Sequence, residues 1–103
     1  MRDTVVGEFE VTGPVVEWRG PAPHHFVTVD GDLAEQVREW AREVSYGWGM
    51  VPVRLRLGAT TGTTALWPRE GGYVVPLRLA VRRAEQVELG DVVTVHVEVL
   101  RPG

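Results

Sequence analysis

A small, mostly-β domain is the fold class this chain predicts: a closed six-stranded barrel with one amphipathic helix and one short helix. Three observations carry that expectation. Period-two alternation of apolar and polar residues recurs along the chain, most clearly over Glu8–Thr12 and Val51–Leu57. Turn residues punctuate the strands at Gly58-Ala59, at the REGG stretch 69–72 and at Gly90-Asp91. Only GDLAEQVREWAREV keeps helical spacing over any length. Strands of this kind hide their edges most economically by closing into a cylinder.

The elements follow in order. Glu8–Thr12 reads as a half-buried strand, Gly13-Pro14 as a bulge or edge interruption, and Val15–Trp18 as its continuation. RGPAP is a loop and His25–Val29 a second strand. In the helix, Asp32 and Glu35 have capping-box spacing, and Leu33, Val37, Trp40 or Ala41, and Val44 form the apolar stripe. Its remaining charges read as a solvated face. SYGWG ends the helix, and Thr60–Trp67 and Tyr73–Leu77 are the fourth and fifth strands. Arg78–Glu85 is the short helix and Val92–Leu100 the last strand.

The order strand, helix, glycine turn, alternating strand occurs twice, first from Phe26 and again from Tyr73. Phe26-Val27 matches Tyr73-Val74, and Gly49-Met50-Val51 matches Gly90-Asp91-Val92, so a pseudo-twofold internal repeat is expected.

At 103 residues the chain has room for one core, and 1–103 is read as a single domain. The formal net charge of −3 disfavours polyanionic partners, so nucleic acid is not expected. The absence of cysteine excludes disulfides, thiolate nucleophiles and cysteine-bound metals. All eleven basic residues are arginine, which excludes Schiff-base chemistry at lysine. MRDTVVGEFEV has no apolar h-region and no apolar run reaches a membrane span, so a cytoplasmic, membrane-free protein is expected.

Chemistry-bearing residues are sparse. His24 and His25 are adjacent and point to opposite faces of a strand, while His96 reads as a solvent-facing strand residue. With no carboxylate or third histidine at ligand spacing, neither a metal site nor a cofactor is expected. Ser45 and Thr64 lack an evident base, and TTGTT and GWG lack a phosphate-binding lysine. The aromatics are more informative, because Trp18, Phe26, Tyr46, Trp48, Trp67 and Tyr73 sit at strand ends or in loops. Trp40, by contrast, is a packing residue on the helix. Converging at one mouth they would make an apolar cleft; plugging the barrel ends they would be core. Arg78 and Arg82, four apart, share one side of the short helix and suit a carboxylate or phosphate. The competing expectation is an ion pair to Glu85, Asp91 or a helical glutamate.

Trp18, HHFVTV, YGWGMVPVRLRLG, TTALWP, GGYVVPLRLAVRRAE and LGDVVTV, in that order and spacing from Phe9 to Val99, together resemble the DUF1905 family of small bacterial domains. The resemblance implies a small closed β-barrel with helices at its ends and no established chemistry. Two positions depart from it: Thr64-Ala65-Leu66 stands where the family often has Thr-Ser-Leu, and Asp30 where it often has proline. The last segment more faintly resembles the half-barrel of swapped-hairpin transcription factors, where Gly-Asp is a folding corner.

The functional expectation is a noncatalytic module binding a small organic acid or anion, or a protein. Its ligand site is expected at Trp18, His25, Trp48, Thr64, Trp67, Tyr73, Arg78 and Arg82. A homodimer fits the same reading. The contrasting expectation is a small enzyme using His24, His25 or Arg82 on a bound acidic metabolite.

Overall fold

The computed structural model describes residues 2–20 and 24–103, so the 21–23 part of the expected RGPAP loop lies outside the described residues. Its elements are β1 (Thr4–Pro14), β2 (Val16–Trp18), β3 (His24–Val29), α1 (Gly31–Val44), β4 (Val51–Leu57), β5 (Thr60–Arg69), β6 (Gly72–Pro76), α2 (Leu79–Glu85) and β7 (Val92–Arg101). All pairings are antiparallel, in the order β1-β7-β4-β5-β6-β3-β2.

The sheet is open and seven-stranded, which corrects the closed six-stranded barrel. The first expected strand is two. Its halves, β1 and β2, form opposite edges of the sheet, with only Val15 between them. Val15 is 1% exposed, and neither of its backbone groups joins a ladder. Its N–H donates to the Asp91 carbonyl and its carbonyl accepts from Gly90 N–H, both at 2.9 Å. The Gly90-Asp91 corner, just beyond the Pro14–Val92 pair, thus satisfies both backbone groups of Val15.

A related exchange of partners occurs at β5. Thr60–Leu66 pairs with β4, whereas Trp67–Arg69 pairs with β6. Thr4–Pro14 likewise pairs with β7 and Val16–Trp18 with β3. These two switches fold the sheet over a core built from both halves, including Phe9, Val29, Leu55, Leu66, Val75 and Val97.

The turns have readable causes. Leu57 pairs with Thr60 across Gly58-Ala59, and Gly58 takes a positive φ of 60°, as a tight hairpin with glycine first requires. Arg69 pairs with Gly72 across Glu70-Gly71, both at positive φ, the twist-matched turn for a two-residue hairpin. Gly72 itself is a steric necessity: a Cβ there would lie 2.3 Å from the Val29 carbonyl oxygen.

α1 buries Ala34, Val37, Ala41 and Val44. Asp30, rather than Asp32, stands at its N-cap, and no side-chain cap bond forms, which corrects the expected capping box. Trp40 lies over Gly7, where any Cβ would strike its ring, and packs parallel to Phe9 at 6.2 Å. Arg38 donates to the Gly71 carbonyl and Arg101 bonds Glu43, tying the helix to strand ends. α2 docks differently, with Val81 buried and its methyl facing Gly62 of β5. Thr60 Oγ1 donates to Glu85 at 2.6 Å and fixes its far end.

Two substitutions test the β5–β6 hairpin. Gly72→Ala forces β6 away from β3 and is expected to cost about 1–3 kcal/mol, a size typical of overpacking. Glu70→Gly removes the penalty of a side chain at φ 51° and is expected to stabilise by about 1 kcal/mol. Chemical denaturation of both variants checks the pair; Gly72→Ala at wild-type stability would contradict the close approach.

Candidate functional site

β5 and β6 pair only from Trp67 to Arg69 and from Gly72 to Val74. Beyond that point they diverge, because β5 stays with β4 while β6 follows β3. Among the described residues, no strand covers the free side of Thr60–Leu66. The divergence leaves a groove of about 500 Å³, bounded by Thr63, Thr64, Ala65 and Trp67 on one side and by Pro76 and Arg78 on the other. His24, Tyr46 and Met50 complete its lining.

Each group is held by its own local cause. Trp67 is the first β5 residue to pair with β6. Its ring meets His24 edge-on at 4.6 Å, and His24 stacks nearly parallel on Trp18 at 6.1 Å. Trp18 and His24 are cross-strand partners on β2 and β3, so the stack follows from register. On the other side of Trp67 a smaller apolar cleft of about 250 Å³ is lined by Trp18, Phe26 and Pro68 among others. Tyr46 and Met50 come from a tight turn in which each N–H donates to the other's carbonyl at 2.9 Å.

Arg78 follows the buried Leu77, whose N–H donates to the His25 carbonyl at 2.8 Å. This anchoring sets the backbone from which the exposed Arg78 side chain extends. Among the described residues Arg78 has neither an ion-pair partner nor a side-chain hydrogen bond, unlike Arg38, Arg42, Arg54 and Arg101. The acids expected to neutralise it are engaged elsewhere: Glu85 accepts from Thr60, and Asp91 accepts from Glu88 N–H at 2.9 Å.

Of the residues expected to form one mouth, the structure brings together Thr64, Trp67 and Arg78, with Trp18 adjoining through His24. The others depart from it. Tyr73 is core, 6% exposed, with the Arg38 guanidinium 5.9 Å from its ring centroid. His25 faces Glu17, its cross-strand partner, at 3.9 Å. Arg82 donates to the Leu77 carbonyl at 3.0 Å and lines a separate surface with Arg83 and Glu88. Trp48 stands 95% exposed at the tip of the Tyr46–Met50 turn, beside the groove rather than in its wall. Helical spacing alone does not unite Arg78 with Arg82, because Arg78 precedes the first helical residue.

The expected ligand site left out His24, Met50, Thr63, Ala65 and Pro76, which line the groove. His24 had a signal: strand alternation puts it on the face opposite His25. Met50 and Pro76 had none, since their place depends on where two strands part. No side-chain hydrogen bond orients His24 or His25 in the manner of a general base, among the described residues. No helix is long and apolar enough to cross a membrane among those residues.

Comparison with known proteins gives no match among curated proteins and none among solved structures. A family model does match, over residues 12–97, and spans every wall of the groove from His24 to Arg78. The chain belongs to the DUF1905 family, described as a domain of unknown function.

Proposed function

We propose that the chain is a noncatalytic module that binds a small organic anion in the groove between β5 and β6. The observation that carries this reading is the unpaired Arg78 guanidinium, set beside Trp67 and His24 in one groove. A guanidinium offers a planar fork of donors matched to a carboxylate. Trp67 and Tyr46 offer apolar surface to the remainder of the ligand, and Thr63 and Thr64 offer hydroxyls at its edge. Apolar walls with few convergent polar groups fix orientation without requiring chemistry. A planar aromatic or unsaturated carboxylate fits this composition best, because its ring can lie against the indole.

The test compares benzoate with benzamide, which share shape and differ in charge. Benzoate is expected to raise the melting temperature and to shift amide resonances of Thr63–Trp67; benzamide is expected to do neither at the same concentration. Arg78→Ala is expected to weaken benzoate by about tenfold or more, the worth of a charge-assisted hydrogen bond. Arg82→Ala should bind as wild type does. Equal binding of the two compounds, or undiminished benzoate binding to a folded Arg78→Ala protein, would contradict the proposal.

A further inference from the structure

A second group of side chains lies away from the groove, on the outer face of β1, β7 and β4. Register sets Glu8 opposite Glu98 and Glu10 opposite His96. On the far side of β7 it sets Arg54 opposite Glu98 and Arg56 opposite His96. Two carboxylates directly across a ladder repel, so the Glu8–Glu98 pair requires an offsetting charge. Arg54 supplies part of it, donating through Nε to Glu98 Oε1 at 2.7 Å. That hydrogen bond, together with the Glu98 charge, holds the guanidinium more firmly protonated than usual.

His96 is half-buried, which corrects the expectation of a simple solvent-facing residue. Its Nε2 lies 3.3 Å from Glu8 Oε2, and its Nδ1 lies 3.9 Å from Glu10 Oε2. One ligand atom from each of Glu8, His96 and Glu98 falls within 4.8 Å of the other two. Ligand bonds of about 2.0–2.2 Å to a single zinc ion bring donors to a comparable spread after small side-chain rotations. Carboxylates at ligand distance were not expected from the sequence: Glu8 comes from the partner strand, where local spacing does not place it, whereas Glu98, two residues from His96 on one face of β7, carried a strand-spacing signal that went unused.

The geometry points to a divalent transition-metal site of the zinc class at Glu8, His96 and Glu98. His96 Nε2 and one oxygen from each glutamate are the protein ligands, and the fourth position is open to water. One imidazole with two carboxylates suits a borderline ion better than a soft one, and the two carboxylates balance its charge. The surrounding contacts have the form that supports such a site. Glu10 lies on the side of the second imidazole nitrogen, at 3.9 Å, and a shift of about 1 Å would let it accept a hydrogen bond from Nδ1–H and direct Nε2 to the ion. Arg54 holds one Glu98 oxygen and leaves the other for coordination. The ligands stand on two paired strands, so an ion there would pin the edge strand β1 to β7.

The probe is Zn²⁺ itself, added to chelator-treated protein near neutral pH. Zn²⁺ is expected to raise the melting temperature and to perturb the side-chain ¹H–¹⁵N resonances of His96 before those of His24 or His25. His96→Gln and Glu8→Gln are expected to weaken Zn²⁺ at least about tenfold, a ligand's loss exceeding that of an outer partner. The double variant His24→Gln/His25→Gln should bind as wild type, which separates this site from the adjacent histidines. Absence of any Zn²⁺-dependent change in wild type, perturbation of His24 or His25 alone, or undiminished binding in His96→Gln would each overturn the proposal. The resonance measurement on the wild type decides the matter even where a variant fails to fold.

Discussion

One buried residue, Val15, ties together the two edges at opposite ends of the seven-strand ladder order. β1 ends at Pro14 beside β7, and β2 starts at Val16 beside β3. A single residue spans only about 3.3–3.6 Å per step, so the sheet must bend until its edges nearly meet. Val15 is held there by two backbone bonds to Gly90 and Asp91 and by complete burial of its side chain. The bend encloses the valine-rich core without a continuous ladder around it. A β-sheet that nearly closes but keeps two edges still shields most of its apolar inner face.

The groove is a consequence of the same constraint. A folded sheet needs a second place to turn, and β5 provides it by changing partner at Leu66–Trp67. Where a strand changes partner, the neighbours it leaves and joins must separate, and the gap between them cannot be filled by the ladder. Leu66 points into the core with no exposure, so the next residue, Trp67, goes to the other face and borders the gap. α2 then closes the far end by resting Val81 on Gly62, the one β5 position without a side chain to oppose it. The Arg78 backbone is placed by the buried Leu77 immediately before it. A cation left without a carboxylate costs little at an exposed position, which is why the site can be polar and unsatisfied without loss of stability.

Much of this fold was legible from local pattern. Alternation located the strands of Val51–Leu57 and Val92–Leu100, helical spacing found α1, and glycines marked both hairpin turns. That the sheet stays open was not legible, because Gly13-Pro14 followed by an apolar run reads the same whether the strand is bulged or shared between two edges. Deciding between them needs the partner of Val15, which sits 75 residues away or more at Gly90 and Asp91. The site shows the same division. Thr64, Trp67 and Arg78, expected together from residue type and position, line one groove, yet Tyr73 and Arg82 carry equivalent signals and lie elsewhere. Aromatic residues at strand ends serve core and cleft alike, and only the strand geometry assigns them.

The outer face of the ladder obeys a different rule from the groove. Across β1, β7, β4 and β5 its rows run Glu8–Glu98–Arg54–Thr63 and Glu10–His96–Arg56–Thr61. Charge is therefore graded across the sheet, from carboxylates at the free edge to guanidinium groups at β4 and hydroxyls at β5. Arg54 is the boundary: it binds Glu98, keeps that carboxylate oriented, and prevents the acidic edge from extending over the sheet. An arginine suits this place better than a lysine, since its Nε can hold one oxygen while the terminal nitrogens remain hydrated. The acidic edge belongs to β1 and β7, whereas the cationic groove belongs to β5, β6 and the α2 approach, so the two share no side chain. Ligand at one is expected to leave the other chemically unaltered unless the register of β4, the strand between β7 and β5, itself shifts.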